Sequence, residues 1–330
     1  MSAVKRIILD VDTASGSVGG ESDDALAILL ALQSPEIRIE GITTGPGNVD
    51  TGSATVNTLR ILEMADRKDI PVAEGRFDRL LGDGEAIRRH YDLRHTKPPA
   101  SAYWADWKVP PPPRQKAAPE KAYEFIISTI RRYPGEVTLV FVGSLINLAV
   151  AIAADPGIVP LIKGLVHMGG FFDLSHFLRV TDRPANGWLN TDYDPVASTM
   201  VFRSGLKITQ IPVDATTQTT ITVEEFQEIV KHGSSVAAFV AKSAIPWTKY
   251  IMNTRGYSGS CPHDALAVAF VIDPTLVETR PKRVHIERLL LQWFPYFEDN
   301  GNGPLVDGAV KVDVVRFKKM LMDRYLQKGA

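Results

Sequence analysis

The chain has a single cysteine, Cys261, so an intrachain disulfide framework is excluded and the composition fits a reducing compartment. It also lacks an excess of either charge. Its 37 Lys and Arg against 38 Asp and Glu leave a net charge of -1, which gives no electrostatic footprint for a nucleic-acid backbone or an anionic lipid surface. No apolar run is long enough to span a bilayer. The N-terminus enters a strand-like run within a few residues, without the apolar core and small-residue cleavage site of a secretory signal. These absences point to a cytoplasmic protein that acts on a small molecule, with neither a nucleic-acid polymer nor a membrane as its partner.

What is present is an alternation of short β-branched runs with longer amphipathic stretches, the pattern of a mostly parallel sheet flanked by helices. Strands are expected at Arg6 to Asp10, Ile37 to Thr43, Val137 to Val142, Gly164 to Met168 and Ile208 to Val213. Helices are expected at Asp24 to Gln33, Gly52 to Ala65, Pro119 to Tyr133, Asn147 to Ala154, Pro195 to Arg203, Val223 to Lys231, Val236 to Tyr250, Asp264 to Ile272 and Val315 to Gln327. Chemistry-bearing residues recur where strands end, and open α/β sheets bind ligands outside the carboxyl ends of their strands. One crevice, and hence a single α/β domain over residues 1–330, is the expectation. Arg76 to Arg114 breaks the alternation with Arg88, Arg89, His90, His95, Tyr103, Trp104, Trp107 and the prolines 110–113. It reads either as a lid segment or as a stiff connector.

Four aspartates gather around the first strand-to-helix turn: Asp10 and Asp12, then Asp23 and Asp24 opening the apolar stretch Ala25-Leu26-Ala27-Ile28-Leu29-Leu30. Carboxylates held together repel unless a cation or a raised pKa relieves the charge. Oxygen donors with no Cys/His spacing suit Ca²⁺ or Mg²⁺ rather than Zn²⁺. The plainer reading is that Asp23 and Asp24 favour a helix N-terminus. His263-Asp264 opens another apolar helix, so Asp264 is placed to join the same cluster, and His263 reads as a functional or a capping histidine. Gly45-Pro46-Gly47-Asn48 supplies a close-approach loop with an amide side chain.

These residues resemble the nucleoside hydrolases, which cleave the N-glycosidic bond of ribonucleosides. Asp10-Val11-Asp12 with Asp23-Asp24-Ala25 is similar to the family's aspartate turn. Thr43-Thr44-Gly45-Pro46-Gly47-Asn48 is similar to its second motif, and Val142-Gly143-Ser144-Leu145-Ile146-Asn147 and Val166-His167-Met168-Gly169-Gly170 to the next two. Asn190 to Pro195 and His263-Asp264-Ala265 complete the order. The resemblance implies a nucleoside hydrolase-like, Rossmann-like core and calcium-dependent cleavage of a nucleoside to ribose and free base. It implies Ca²⁺ held by Asp12, Asp24, Asp264 and a main-chain carbonyl near Val142. Asp23 would be the base that activates water, and His263 would assist departure of the nucleobase. Asn48 and Asn190 would bind ribose hydroxyls, and Asp10 would support the loop from behind the ligands. A homo-oligomer, dimer or tetramer, is also implied.

The chain departs from the family in three places. Thr13 to Ser22 stands where the family has a short Pro-Gly turn, and is expected to loop away from the metal and over the pocket mouth. Trp188 replaces a glutamate that binds ribose hydroxyls, with Asn186 or Asp182 as substitutes. The family's His-Gly lid motif is missing from Arg76 to Arg114. Of the other functions weighed, a haloacid-dehalogenase-like phosphatase needs Thr or Val where Ala14 stands, and the glycines lack a Gly-Lys-Ser/Thr ending for a phosphate loop. A non-catalytic nucleoside- or ribosyl-binding protein on the same scaffold is the alternative from another class.

Overall fold

The run Lys5–Val11 (β1) is buried on both faces from Ile7 onward, and in the computed structural model it lies inside the sheet with a parallel neighbour on each side. The structure describes residues 4–82, 84, 100–172, 189–289, 292–298 and 301–328. Along the chain the other strands are β2 (Ile37–Thr44), β3 (Val72–Glu74), β4 (Val137–Phe141), β5 (Gly164–Met168), β6 (Ile208–Ile211), β7 (Val277–Leu289), β8 (Gln292–Glu298) and β9 (Leu305–Val312). Among the described residues they form one sheet in the order β3-β2-β1-β4-β5-β6-β9-β7-β8. Pairing is parallel from β3 through β6 to β9, whereas β7 pairs antiparallel with both β9 and β8. The order reverses between β1 and β4, so the crevice expected of an open α/β sheet opens where the aspartates stand.

Among the described residues the α-helices are α1 (Asp23–Leu32), α2 (Thr51–Met64), α3 (Ala122–Arg132), α4 (Ile146–Ala154), α5 (Leu189–Asp192), α6 (Pro195–Phe202), α7 (Val213–Thr216), α8 (Val223–His232), α9 (Ser235–Arg255), α10 (His263–Ile272) and α11 (Val314–Tyr325). Period-two alternation along β1 assigns its side chains to two layers. Ile7, Leu9 and Val11 join the core with α1, α8, α9, α10 and α11, while Ile8 joins the one with α3, α4 and α6. Helices α1 and α10 are apolar almost all round and pack against each other, with Ala25, Ala27, Ala265, Ala267 and Ala269 fully buried. Small side chains let two helices approach closely, and both of these begin at the carboxyl edge of the sheet. Asp23, Asp24 and Asp264 are thereby carried to one place.

Several boundaries differ from the sequence expectation for local reasons. The helix expected from Pro119 starts at Ala122, because the Lys121 backbone N–H is held by Glu124 Oε2 at 2.9 Å from the first turn. The strand expected to reach Val213 stops at Ile211, since Pro212 has no N–H and opens α7. Helix α9 continues past Tyr250 to Arg255 and ends on Gly256 in the left-handed region, φ 69°. Strands β3 and β7 to β9 were not expected from the sequence.

Candidate functional site

Register sets the site. Asp10 lies opposite Thr43 of β2 and Phe141 of β4. Its Oδ2 accepts from Thr43 Oγ1 at 2.6 Å and Asn147 Nδ2 at 2.9 Å, so one carboxylate ties the ends of β1 and β2 to the first turn of α4. Its Oδ1 is buried without a hydrogen-bond partner among the described residues, and burial pushes the carboxyl up to about 8.

Asp12 follows the end of β1. Its backbone N–H donates to Asp24 Oδ1 at 2.9 Å; its Oδ2 accepts the Asn48 backbone N–H at 2.8 Å and its Oδ1 the Asn48 side-chain amide at 3.3 Å. That amide also reaches Asp24 Oδ2 at 3.4 Å. The approach requires Gly47, because a Cβ there would lie 1.7 Å from Asp12 Oδ2. Burial holds Asp12 up at about 6.

Carboxylate oxygens of Asp23, Asp24 and Asp264 lie within 4.8 Å of one another, and all three side chains are buried. Burial first, then the neighbouring carboxylates, pushes each well above the usual carboxylate range. A desolvated set of hard oxygen donors fits a divalent ion of the calcium or magnesium type. Asp12 borders this trio through Asp24 rather than joining it.

His263 opens α10, and its Nδ1 lies 2.6 Å from Thr216 Oγ1. Burial lowers the ring to about 4, so it is neutral at pH 7. Thr216 Oγ1 also lies 3.2 Å from the Val213 carbonyl, so its one proton serves either that oxygen or the shorter contact to Nδ1; given to Nδ1, it leaves the imidazole proton on Nε2. Asn190, on α5, donates through Nδ2 to the Val142 carbonyl at 2.5 Å and to the Met168 carbonyl at 3.1 Å. Asn186, Trp188 and Asp182 lie outside the described residues.

The insert Thr13 to Ser22 does not bulge into solvent. Most of it is buried against α2, where Asn57 Nδ2 donates to the Thr13 carbonyl at 3.0 Å and to Ser17 Oγ at 3.2 Å. Gly16 has φ 103°, which glycine adopts without strain, and its carbonyl accepts Trp107 Nε1 at 3.0 Å. In the segment expected as a lid, the described residues 100–114 include the 3₁₀ turn Ala100–Trp104, and Trp104 packs with Trp247 and Tyr250 of α9. Arg60 on α2 reaches the Pro110 and Pro111 carbonyls, both at 3.3 Å, which fixes the start of the proline run. Thr216, Glu21 and Trp247 were not singled out from the sequence, because none has a spacing signature; their roles arise from contacts across the fold.

The family model for inosine-uridine preferring nucleoside hydrolases matches residues 7–319. A uridine nucleosidase of Arabidopsis thaliana is 32% identical over 86% of this chain and 78% of its own length. The inosine-uridine preferring nucleoside hydrolase of Crithidia fasciculata is 30% identical over 86% of this chain and 84% of its own. Among solved structures, a purine-preferring ribonucleoside hydrolase from Gardnerella vaginalis superposes with a TM-score of 0.82 at 30% identity, covering 98% of each chain.

Proposed function

The chain belongs to the inosine-uridine preferring nucleoside hydrolase family, a ribonucleoside N-glycosidase lineage, and we propose that it is a calcium-dependent member with its site at the aspartate cluster. The observation that carries this reading is the convergence of buried Asp23, Asp24 and Asp264 beside Asp12 and Asn48, a donor set that suits one hard cation.

Asp12, Asp24 and Asp264 would hold the ion with the Val142 carbonyl. Calcium, when bound, supplies positive charge that orients water and the ribose diol and eases deprotonation of that water. Asp23 takes the water proton as general base. Asn48 and Asn190 hold the ribose hydroxyls. As the ribosyl bond breaks, positive charge builds on the sugar, and the surrounding carboxylates stabilise it. His263, neutral in the free protein, assists the departing base by donating a hydrogen bond from Nε2.

One observation favours a second division of labour. Asp23 stands inside the close trio and Asp12 outside it, which would make Asp23 a ligand and Asp12 the base. The two are separated by measuring calcium affinity and turnover for Asp12→Asn and Asp23→Asn. The base variant keeps its calcium and loses turnover on every nucleoside. The ligand variant loses calcium affinity together with turnover.

No helix among the described residues is long and apolar enough to cross a membrane, and a small soluble nucleoside suits a crevice at the sheet edge.

A further inference from the structure

The two residues immediately before the aspartate pair are each bonded to the same helix. Ser22 is the N-cap of α1, yet its hydroxyl makes no capping bond. It lies instead 3.2 Å from Ser243 Oγ of α9. The Ser243 hydroxyl already donates to the Val240 carbonyl at 2.8 Å, so Ser22 is the donor of the pair. Next to it, Glu21 Oε1 accepts Trp247 Nε1 at 2.9 Å. Ser243 and Trp247 are four residues apart on α9 and therefore share a face. Both are buried, at 3% exposure each. The rest of the insert is anchored on other elements, through Thr13 on α2 and Gly16 on Trp107.

A ten-residue insert rich in glycine gives the chain before Asp23 more freedom than a tight turn would. Carboxylates that must meet within a few ångströms cannot be left to that freedom, because holding a ligand set in place is most of what makes it bind. The contacts of Glu21 and Ser22 restore the constraint from outside the loop.

We propose that Glu21 and Ser22, held by Trp247 and Ser243 of α9, are positioning residues that fix the Asp23-Asp24 turn in its cation-binding geometry. The proposal rests on the calcium reading given above. The insert thus acts as a strut between α9 and the ligand set, and α9 is coupled to the metal site without supplying a ligand.

The test is calcium titration of the full chain by calorimetry, using the metal alone, for the wild type and for Trp247→Phe, Ser22→Ala, Glu21→Gln and Glu21→Ala. Phenylalanine keeps an aromatic ring against Trp104 and Tyr250 but has no N–H to donate. One buried hydrogen bond corresponds to about a tenfold change in an equilibrium constant, so Trp247→Phe and Glu21→Ala are each expected to weaken calcium binding about tenfold. Ser22→Ala is expected to weaken it by a smaller factor. Glu21→Gln keeps the acceptor oxygen and is expected to stay within about threefold of wild type. Combining Trp247→Phe with Glu21→Ala is expected to add nothing to either alone. In calcium-free protein, the Asp23 and Asp24 amides should exchange faster in Trp247→Phe than in the wild type.

Calcium affinity unchanged in both Trp247→Phe and Ser22→Ala overturns the proposal and leaves the calcium reading standing. Equal losses for Glu21→Gln and Trp247→Phe also overturn it, because charge rather than position would then be responsible. A wild-type protein that takes up no calcium overturns both.

Discussion

Asn190 Nδ2 donates to the main-chain carbonyl of Val142 at 2.5 Å, so the carbonyl expected among the metal ligands is already gripped by a residue expected to bind ribose. A carbonyl oxygen has two lone pairs and can serve both, which would join the turn expected to bind ribose to the edge expected to bind the metal.

Replacing Asn190 with alanine leaves the Val142 and Met168 carbonyls without this donor. The expected outcome is a stability loss of about 1 to 2 kcal/mol in urea denaturation, together with a rise in KM for nucleosides. A variant with wild-type KM would remove Asn190 from the sugar site.

Gly47→Ala is expected to be more damaging than its size suggests, since the new Cβ would fall 1.7 Å from Asp12 Oδ2. Either Asp12 or the loop must move, and an ångström of misplacement at a reacting centre costs about 100-fold. Steady-state kinetics should show a loss of that order in kcat/KM, with calcium affinity also reduced. Near-normal kinetics would mean that the Asp12–Asn48 contact is not part of the working site.

His263 and Thr216 should act as a unit. Thr216→Val removes the hydroxyl 2.6 Å from His263 Nδ1 and with it control of the tautomer. Turnover of nucleosides with poor leaving groups should fall by roughly tenfold or more, whereas an activated aryl riboside, which needs no donor, should be spared in both Thr216→Val and His263→Ala. Equal losses on both kinds of substrate would exclude assistance to the leaving group.

His167 is fully buried in β5, with Nδ1 on Gln210 Oε1 at 3.1 Å and no hydrogen-bond partner for Nε2 among the described residues; burial lowers it to about 4 from 6.5. Because its folded pKa is depressed, the unfolded chain takes up the proton first as pH falls. Its contribution to stability is therefore complete above about pH 6.5 and is lost as pH falls through about 4. His167→Gln can still bond Gln210 and does not titrate, so it should lose less stability than the wild type between those pH values. Parallel stability curves across that window would contradict this.

The parallel core was legible because β1, β2, β4 and β5 are short apolar runs bounded by turn residues, and α1 and α10 announce themselves by acidic residues ahead of an alanine- and leucine-rich stretch. The aspartates were legible for the same reason, since strand ends and helix starts coincide in this fold class. The hairpin of β7 and β8 with its neighbour β9 was not. Val277–Leu289 mixes Glu, Arg and Lys into its alternation and contains Pro281, so no apolar period distinguishes it from a solvated loop. Neither was the seat of the insert: glycine and serine say only that the backbone is free, while Asn57, Trp107, Ser243 and Trp247, which hold it, lie far away in sequence.

The most direct measurement is release of free base from a panel of purine, pyrimidine and modified ribonucleosides, assayed with calcium present, after chelation and after calcium is restored. The account predicts base release that is lost on chelation and recovered with calcium. Base release unaffected by chelation, or none from any nucleoside by calcium-loaded protein, would contradict it.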